Sequence, residues 1–174
     1  AHVNTGTVTL TTGDLTVLLG GASPSFTTSG TIGVPTGRTL TLQGDATGPA
    51  GQNFYYSGGT MGGAGTVALT KATLNFSGGL GTAMALLDGS NSTVAGPGTL
   101  TVQAGTAPSL TSCTLSAPTV IESGGTLTLG SSTVSGALTN SGTLVATGAT
   151  AINGTFSAVA GSVLGINPFN QPDV

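Results

Sequence analysis

The sequence predicts an all-β fold, a β-solenoid wound as a parallel β-helix of about six to eight irregular coils. Three observations carry this expectation. Gly, Ser and Thr make up 81 of the 174 residues, while Lys and Arg number 2 and Asp and Glu 5, so the common charged helix formers are almost absent and β-branched Thr and Val dominate. Apolar residues are 37% of the chain and alternate with Thr or Ser in short runs, the period of a strand with one inward and one outward face. Finally, a Gly-Thr-Leu-type element recurs along the whole chain, which is the mark of a repeat architecture.

Taken in order, the alternating runs are Thr7-Val8-Thr9-Leu10, Asp14-Leu15-Thr16-Val17 and Arg38-Thr39-Leu40-Thr41-Leu42. Gly65-Thr66-Val67-Ala68-Leu69, Gly98-Thr99-Leu100-Thr101-Val102 and Gly125-Thr126-Leu127-Thr128-Leu129 follow. Gly142-Thr143-Leu144-Val145 and Gly154-Thr155-Phe156 continue the series in shortened form. Elements begin near residues 37, 65, 98, 125, 142 and 154, so the gaps are 28, 33, 27, 17 and 12 residues. Such gaps fit coils whose corners vary in length, or late coils carrying two copies per turn. Glycine at the head of each element reads as the residue of a tight bend. From Thr119 onward the strands shorten to two to four residues, the length a β-helix coil needs and an immunoglobulin-type sandwich does not. At about 4.8 Å per coil the molecule would be roughly 30–40 Å long.

Four segments break the pattern. Thr12-Gly13-Asp14-Leu15 could close a two-residue hairpin, the main support for the alternative fold, an antiparallel β-sandwich. Thr47–Gly65, with both tyrosines of the chain (Tyr55, Tyr56) and Gly-rich flanks, reads as a long loop insertion in a solenoid domain spanning residues 1–166. Thr82–Leu87 is the one stretch with helical character. Residues 167–174 carry Pro168 and Pro172 and read as a C-terminal arm or linker, since proline stops strand pairing.

The same composition excludes several function classes. Two basic residues cannot track a phosphate backbone, so no nucleic-acid partner is expected. One histidine (His2), one cysteine (Cys113) and five carboxylates scattered along the chain give no catalytic or metal-ligating constellation, so no enzyme activity, cofactor or metal is expected. Cys113 lacks a disulfide partner and reads as a buried apolar residue. Lys71, the single lysine, reads as an exposed solubilising residue rather than half of an isopeptide link with Glu122. No run of 18 apolar residues suggests a spanning helix, so no membrane insertion is expected. The start at Ala1 suits an exported chain after signal-peptide removal, or an excised piece.

The Gly124-Gly125-Thr126-Leu127-Thr128-Leu129-Gly130 and Leu138-Thr139-Asn140-Ser141-Gly142-Thr143-Leu144 segments resemble the repeats of secreted bacterial β-solenoid surface proteins. These are the filamentous-haemagglutinin-like adhesins and autotransporter passenger domains. The resemblance, strongest over residues 90–165, implies a right-handed single-stranded β-helix at the cell surface, serving adhesion, scaffolding or matrix assembly. The function expected is an extracellular structural protein, self-associating head to tail into a filament, sheath or adhesive fibre. Val3, Val8 and Leu10 at one end and Ile166 and Phe169 at the other are the candidate contacts between copies. An adhesin domain binding glycan or a host surface is the alternative. So is an ice-binding protein, because Thr39/Thr41, Thr99/Thr101 and Thr126/Thr128, stacked in register, would make a flat hydroxyl ladder resembling that of solenoid ice-binding proteins.

Overall fold

The computed structural model of the chain describes residues 2–20, 25–45, 52–81 and 85–167, with the side chains of residues 85–88 outside the description. The described residues form twenty-four strands, three to a coil, in eight coils. Coil 1 comprises β1 (His2–Asn4), β2 (Thr7–Thr9) and β3 (Leu15–Leu19), and coil 2 β4 (Ser25–Thr28), β5 (Thr31–Gly33) and β6 (Thr39–Gly44). Coil 3 has β7 (Asn53–Tyr56), β8 (Thr60–Gly62) and β9 (Gly65–Thr70), and coil 4 β10 (Thr73–Phe76), β11 (Leu80–Gly81) and β12 (Ala85–Ser90). Coil 5 has β13 (Thr93–Ala95), β14 (Leu100–Val102) and β15 (Ser109–Thr111), and coil 6 β16 (Thr114–Leu115), β17 (Thr119–Ile121) and β18 (Thr126–Gly130). Coil 7 has β19 (Thr133–Val134), β20 (Leu138–Asn140) and β21 (Thr143–Thr147), and coil 8 β22 (Ala151–Ile152), β23 (Phe156–Ala158) and β24 (Val163–Asn167).

The first strand of every coil stacks into face A, the second into face B and the third into face C. Faces A and C are continuous eight-stranded sheets, whereas face B is broken between β8 and β11 into sheets of three and five strands. All described pairings are parallel. Seven rung-to-rung steps of about 4.8 Å make the stack about 34 Å long.

The core is a set of axial columns. On face A, Phe26, Phe54, Leu74, Val94, Leu115, Val134 and Ile152 lie one above another in register. The Phe26 and Phe54 rings stack, with centroids 5.1 Å apart and planes 10° from parallel. Face C contributes Leu42, Leu69, Leu110 and Leu129, all buried. Threonine fills the solvated sides of the same strands, so the alternation read in the sequence is the alternation of the coils.

The corner between faces C and A is the most regular part of the molecule. Lys71, Asn91, Ser112 and Ser131 occupy it in successive coils, each left-handed with φ of 52°, 48°, 53° and 46°. Their N–H groups donate to the carbonyls of Ser90, Thr111, Gly130 and Thr147 in the following coil at 2.7–3.1 Å. Next to each sits a small buried residue, Ala72, Ser92, Cys113 or Ser132. Ser132 Oγ accepts from the Cys113 N–H at 3.0 Å and donates toward the Gly130 carbonyl at 2.9 Å, tying adjacent coils together. Non-glycine residues at positive φ carry a strain of roughly 1–2 kcal/mol. Ser131→Gly is therefore expected to hold or raise the thermal midpoint, and Ser131→Val to lower it by about 2–8 °C, read by calorimetry.

Several expectations are corrected. The antiparallel sandwich is overturned by the parallel pairing, and no hairpin forms at Gly13-Asp14. β2 and β3 pair with β5 and β6 of the next coil instead of with each other. Asp14 closes that corner from outside, its Oδ1 accepting the Thr39 N–H at 2.8 Å. The long loop over Thr47–Gly65 is also wrong for its described part, because Asn53–Tyr56 and Thr60–Gly62 are the strands β7 and β8. Phe54 and Tyr56 are the inward residues there. Aromatic bulk replaces the usual Thr-Leu alternation and hides the strand. Ala85–Leu87 lies in β12 rather than in a helical turn. Residues 46–51, 82–84 and 168–174 lie outside the described residues.

Candidate functional site: the two ends of the solenoid

In the interior coils the columns are closed above and below. At the last coil they run out. Leu164 continues the column of Leu127 and Leu144, yet it is 46% exposed where Leu144 is fully buried. Ile166, in register with Ala146, is 70% exposed. On face B, Phe156 follows Leu138 and is also exposed, and Val159 and Val163 extend the apolar surface. No ionisable residue occurs from residue 123 to residue 167, so this end carries no charged gatekeeper among the described residues.

The opposite end has the complementary character. Leu15 heads the column of Leu40 and Val67 and is 37% exposed. Val17 heads the column of Leu42 and Leu69 and is half-buried, as is Val8 above Ile32 on face B. Leu18 and Val3 stand on the outer sides of faces C and A, both exposed. The two ends thus cut open the same two inward columns of face C, while on face B the Val8 and Phe156 columns end the two separate sheets.

The predicted contact residues divide accordingly. Val3 and Ile166 are exposed at the ends, and Val8 is half-buried in the terminal rung. Leu10 is a correction: it is 5% exposed, with its N–H donated to the Gly33 carbonyl, and it belongs to the core. Phe169 lies outside the described residues. Leu15, Leu164 and Phe156 were not predicted. The alternation placed Leu15 and Phe156 inward and Leu164 lay in no run that was read, and only the coil count shows that their columns end there.

The threonine pairs are not brought together. Thr39 and Thr41 are in coil 2 and Thr126 and Thr128 in coil 6, both on face C, with Ala68, Asp88 and Ser109 intervening in the column of Thr41 and Thr128. Thr101 lies on face B, in β14, with Thr99 just ahead of that strand. An uninterrupted threonine ladder does exist, on face A: Thr73, Thr93, Thr114 and Thr133 in register over four coils. Its signal was the spacing of 20, 21 and 19 residues between these threonines, each preceded by a small residue. It is a single column, flanked on the same face by Asn75 and Ala95 rather than by a second row of threonine.

Among the ionisable groups, Lys71 and Glu122 sit at different corners, between faces C and A and between faces B and C respectively, so no link joins them. Cys113 is buried in the column of small corner residues, its Sγ donating to the Thr111 carbonyl at 3.2 Å. No group of three or more His, Cys, Asp or Glu residues comes together among the described residues. Among the described residues no helix is long and apolar enough to cross a membrane. In comparison with known proteins, the chain matches no family model, no curated protein and no solved structure.

Proposed function

We propose that this protein is an extracellular structural subunit that polymerises head to tail into a surface filament, sheath or adhesive fibre. One observation carries the reading: the same two apolar columns of face C are open at both ends of the stack. Setting β24 of one copy beside β3 of the next places Leu164 against Leu15 and Ile166 against Val17. On face B, β23 and β2 would meet with Phe156 and Val8 both on the inward side. The strand edges then gain their missing hydrogen-bond partners, and the interface is a parallel sheet continued across two molecules. Unlike ends meet, so the contact is heterologous and does not saturate in a dimer. Export to the cell surface is supported by the low charge and by the resemblance of the repeats to secreted surface proteins.

Each subunit would add eight rungs, an axial advance of about 38 Å. Electron microscopy of the concentrated protein is expected to show unbranched filaments, with fibre diffraction giving a meridional reflection near 4.8 Å. A protein that stays monomeric in sedimentation velocity as its concentration rises, with no filaments on the grid, would reject the proposal.

A further inference from the structure

On the flank of the solenoid, away from both ends, an open groove of about 240 Å³ runs across coils 3–5 at the end of face A. Tyr55, Tyr56, Asn75, Phe76 and Pro97 supply most of its wall. It lies where face B is interrupted, since β8 and β11 do not pair and Ser77–Gly79, between β10 and β11, lie in no strand. Its floor is fixed. Phe76 and Tyr56 are buried, and the Tyr56 hydroxyl donates to the Gly59 carbonyl at 2.9 Å. Its rim is open, because Tyr55 is 41% exposed and stands on the outer side of face A between Thr27 and Asn75, its neighbours in adjacent coils. The Asn75 side-chain amide donates from Nδ2 to Asn53 Oδ1 at 2.8 Å, which holds the amide in one orientation. No ionisable residue other than the two tyrosines lines the groove.

We infer that this groove is a binding site for a neutral saccharide, with one sugar ring stacked on Tyr55 and its hydroxyls bonded to Asn75 and the serine hydroxyls of the rim. The chemistry follows from three features. A pyranose presents a face of C–H groups that suits the negative face of an aromatic ring, and Tyr55 is the one exposed ring in the groove. Sugar hydroxyls need neutral donors and acceptors held in place, which the fixed Asn75 amide, the Ser57 oxygen (held by donating to the Thr28 carbonyl at 3.2 Å and left as an acceptor) and the Ser77 hydroxyl provide. The absence of Lys, Arg, Asp and Glu from the wall disfavours an acidic or basic ligand. A proline-rich peptide is the other ligand that aromatic grooves take, but it docks between parallel aromatic ridges. Here the second tyrosine is 6% exposed and its hydroxyl is already bonded, so a single platform remains. The site faces sideways from the stack, and its occupancy does not rest on polymerisation.

Saturation-transfer NMR of the full chain tests the inference. The probes are neutral oligosaccharides of the glucan, chitin, mannan and galactan types, with a sialylated trisaccharide and a proline-rich peptide as comparisons. At least one neutral probe is expected to receive saturation on its ring protons. Tyr55→Ala is expected to weaken that probe by about tenfold, Tyr55→Phe to keep its affinity, and Asn75→Ala to weaken it several-fold, all with the thermal midpoint within a few degrees of the parent. Binding of no neutral probe overturns the inference, as does affinity unchanged in both Tyr55→Ala and Asn75→Ala. Binding of the peptide or the sialylated probe alone also overturns it. Filament formation, measured separately, tells failure of this site from failure of the polymer reading.

Discussion

Leu164→Lys combined with Ile166→Lys is expected to abolish polymer growth while leaving the monomer folded. Both side chains are exposed in the free subunit, so the exchange touches little that holds the single chain together. In a stacked pair both would be buried against the neighbour's Leu15 and Val17. Each lost burial is worth roughly 1.5–3 kcal/mol, and the ammonium groups add a desolvation cost. The concentration needed for assembly should therefore rise by about a hundredfold or more. Sedimentation velocity and microscopy read this directly. Leu15→Lys with Val17→Lys, on the other end, should have the same effect on growth.

Mixing the two variants gives a sharper outcome. The first retains an intact β1–β3 end and the second an intact β22–β24 end, so a head-to-tail interface allows them to pair once and then stop. A 1:1 mixture of otherwise monomeric variants is expected to form dimers and nothing larger. A symmetric interface, in which like ends meet, predicts that each variant alone still dimerises through its unmutated end, and that result would sink the head-to-tail arrangement.

The strands were legible in the sequence because one physical requirement, an inward apolar residue opposite an outward Thr, acts on every coil. Arg38–Leu42, Gly65–Leu69 and Gly125–Leu129 therefore fall on strands as read. The coil count was less legible because the Gly-Thr-Leu marker is not tied to one face. Arg38-Thr39, Gly65-Thr66, Gly125-Thr126 and Gly142-Thr143 lead into face C, whereas Gly98-Thr99 and Gly154-Thr155 lead into face B. Gaps measured across the two faces mix different fractions of a turn and look irregular. The corner between faces C and A repeats far more evenly. Its Ala-Thr, Ser-Thr, Cys-Thr and Ser-Thr pairs at 72–73, 92–93, 113–114 and 132–133 mark one coil each, but such pairs blend into a Ser- and Thr-rich background. The open ends were invisible for a different reason. Leu164 has the pattern of a core residue, and its exposure depends on what stacks beyond it.

Gly142→Ala is expected to be a strongly damaging change for a single methyl, and its reason revises the role first given to these glycines. Heading a strand, Gly142 suggests a tight bend, yet positive φ is found at Gly124 and Gly161 and not here. What Gly142 provides is room. A Cβ built on it would lie 2.2 Å from the Glu122 carbonyl oxygen and 2.4 Å from that of Gly125, both backbone atoms of the preceding coil. Gly98 and Gly154 stand in the same relation to Gly78 and Gly136, at 1.9 and 2.0 Å. Glycine therefore recurs because neighbouring coils pass closer at these two corners, between faces B and C and between faces A and B, than any side chain allows. Backbone cannot swing aside as a flexible side chain would, so the methyl must push coils 6 and 7 apart at the corner. Overpacking of this kind costs about 1–3 kcal/mol or more, a fall in thermal midpoint of roughly 3–10 °C for a chain of this size. Gly79→Ala, where a Cβ meets nothing within 4 Å, is the control and should stay near the parent value. Because each coil of a solenoid rests only on its neighbours, the loss should also be local. Amide exchange in coils 7 and 8 is expected to accelerate while coils 3–5 keep their protection, and uniform acceleration along the whole chain would contradict the close-approach account.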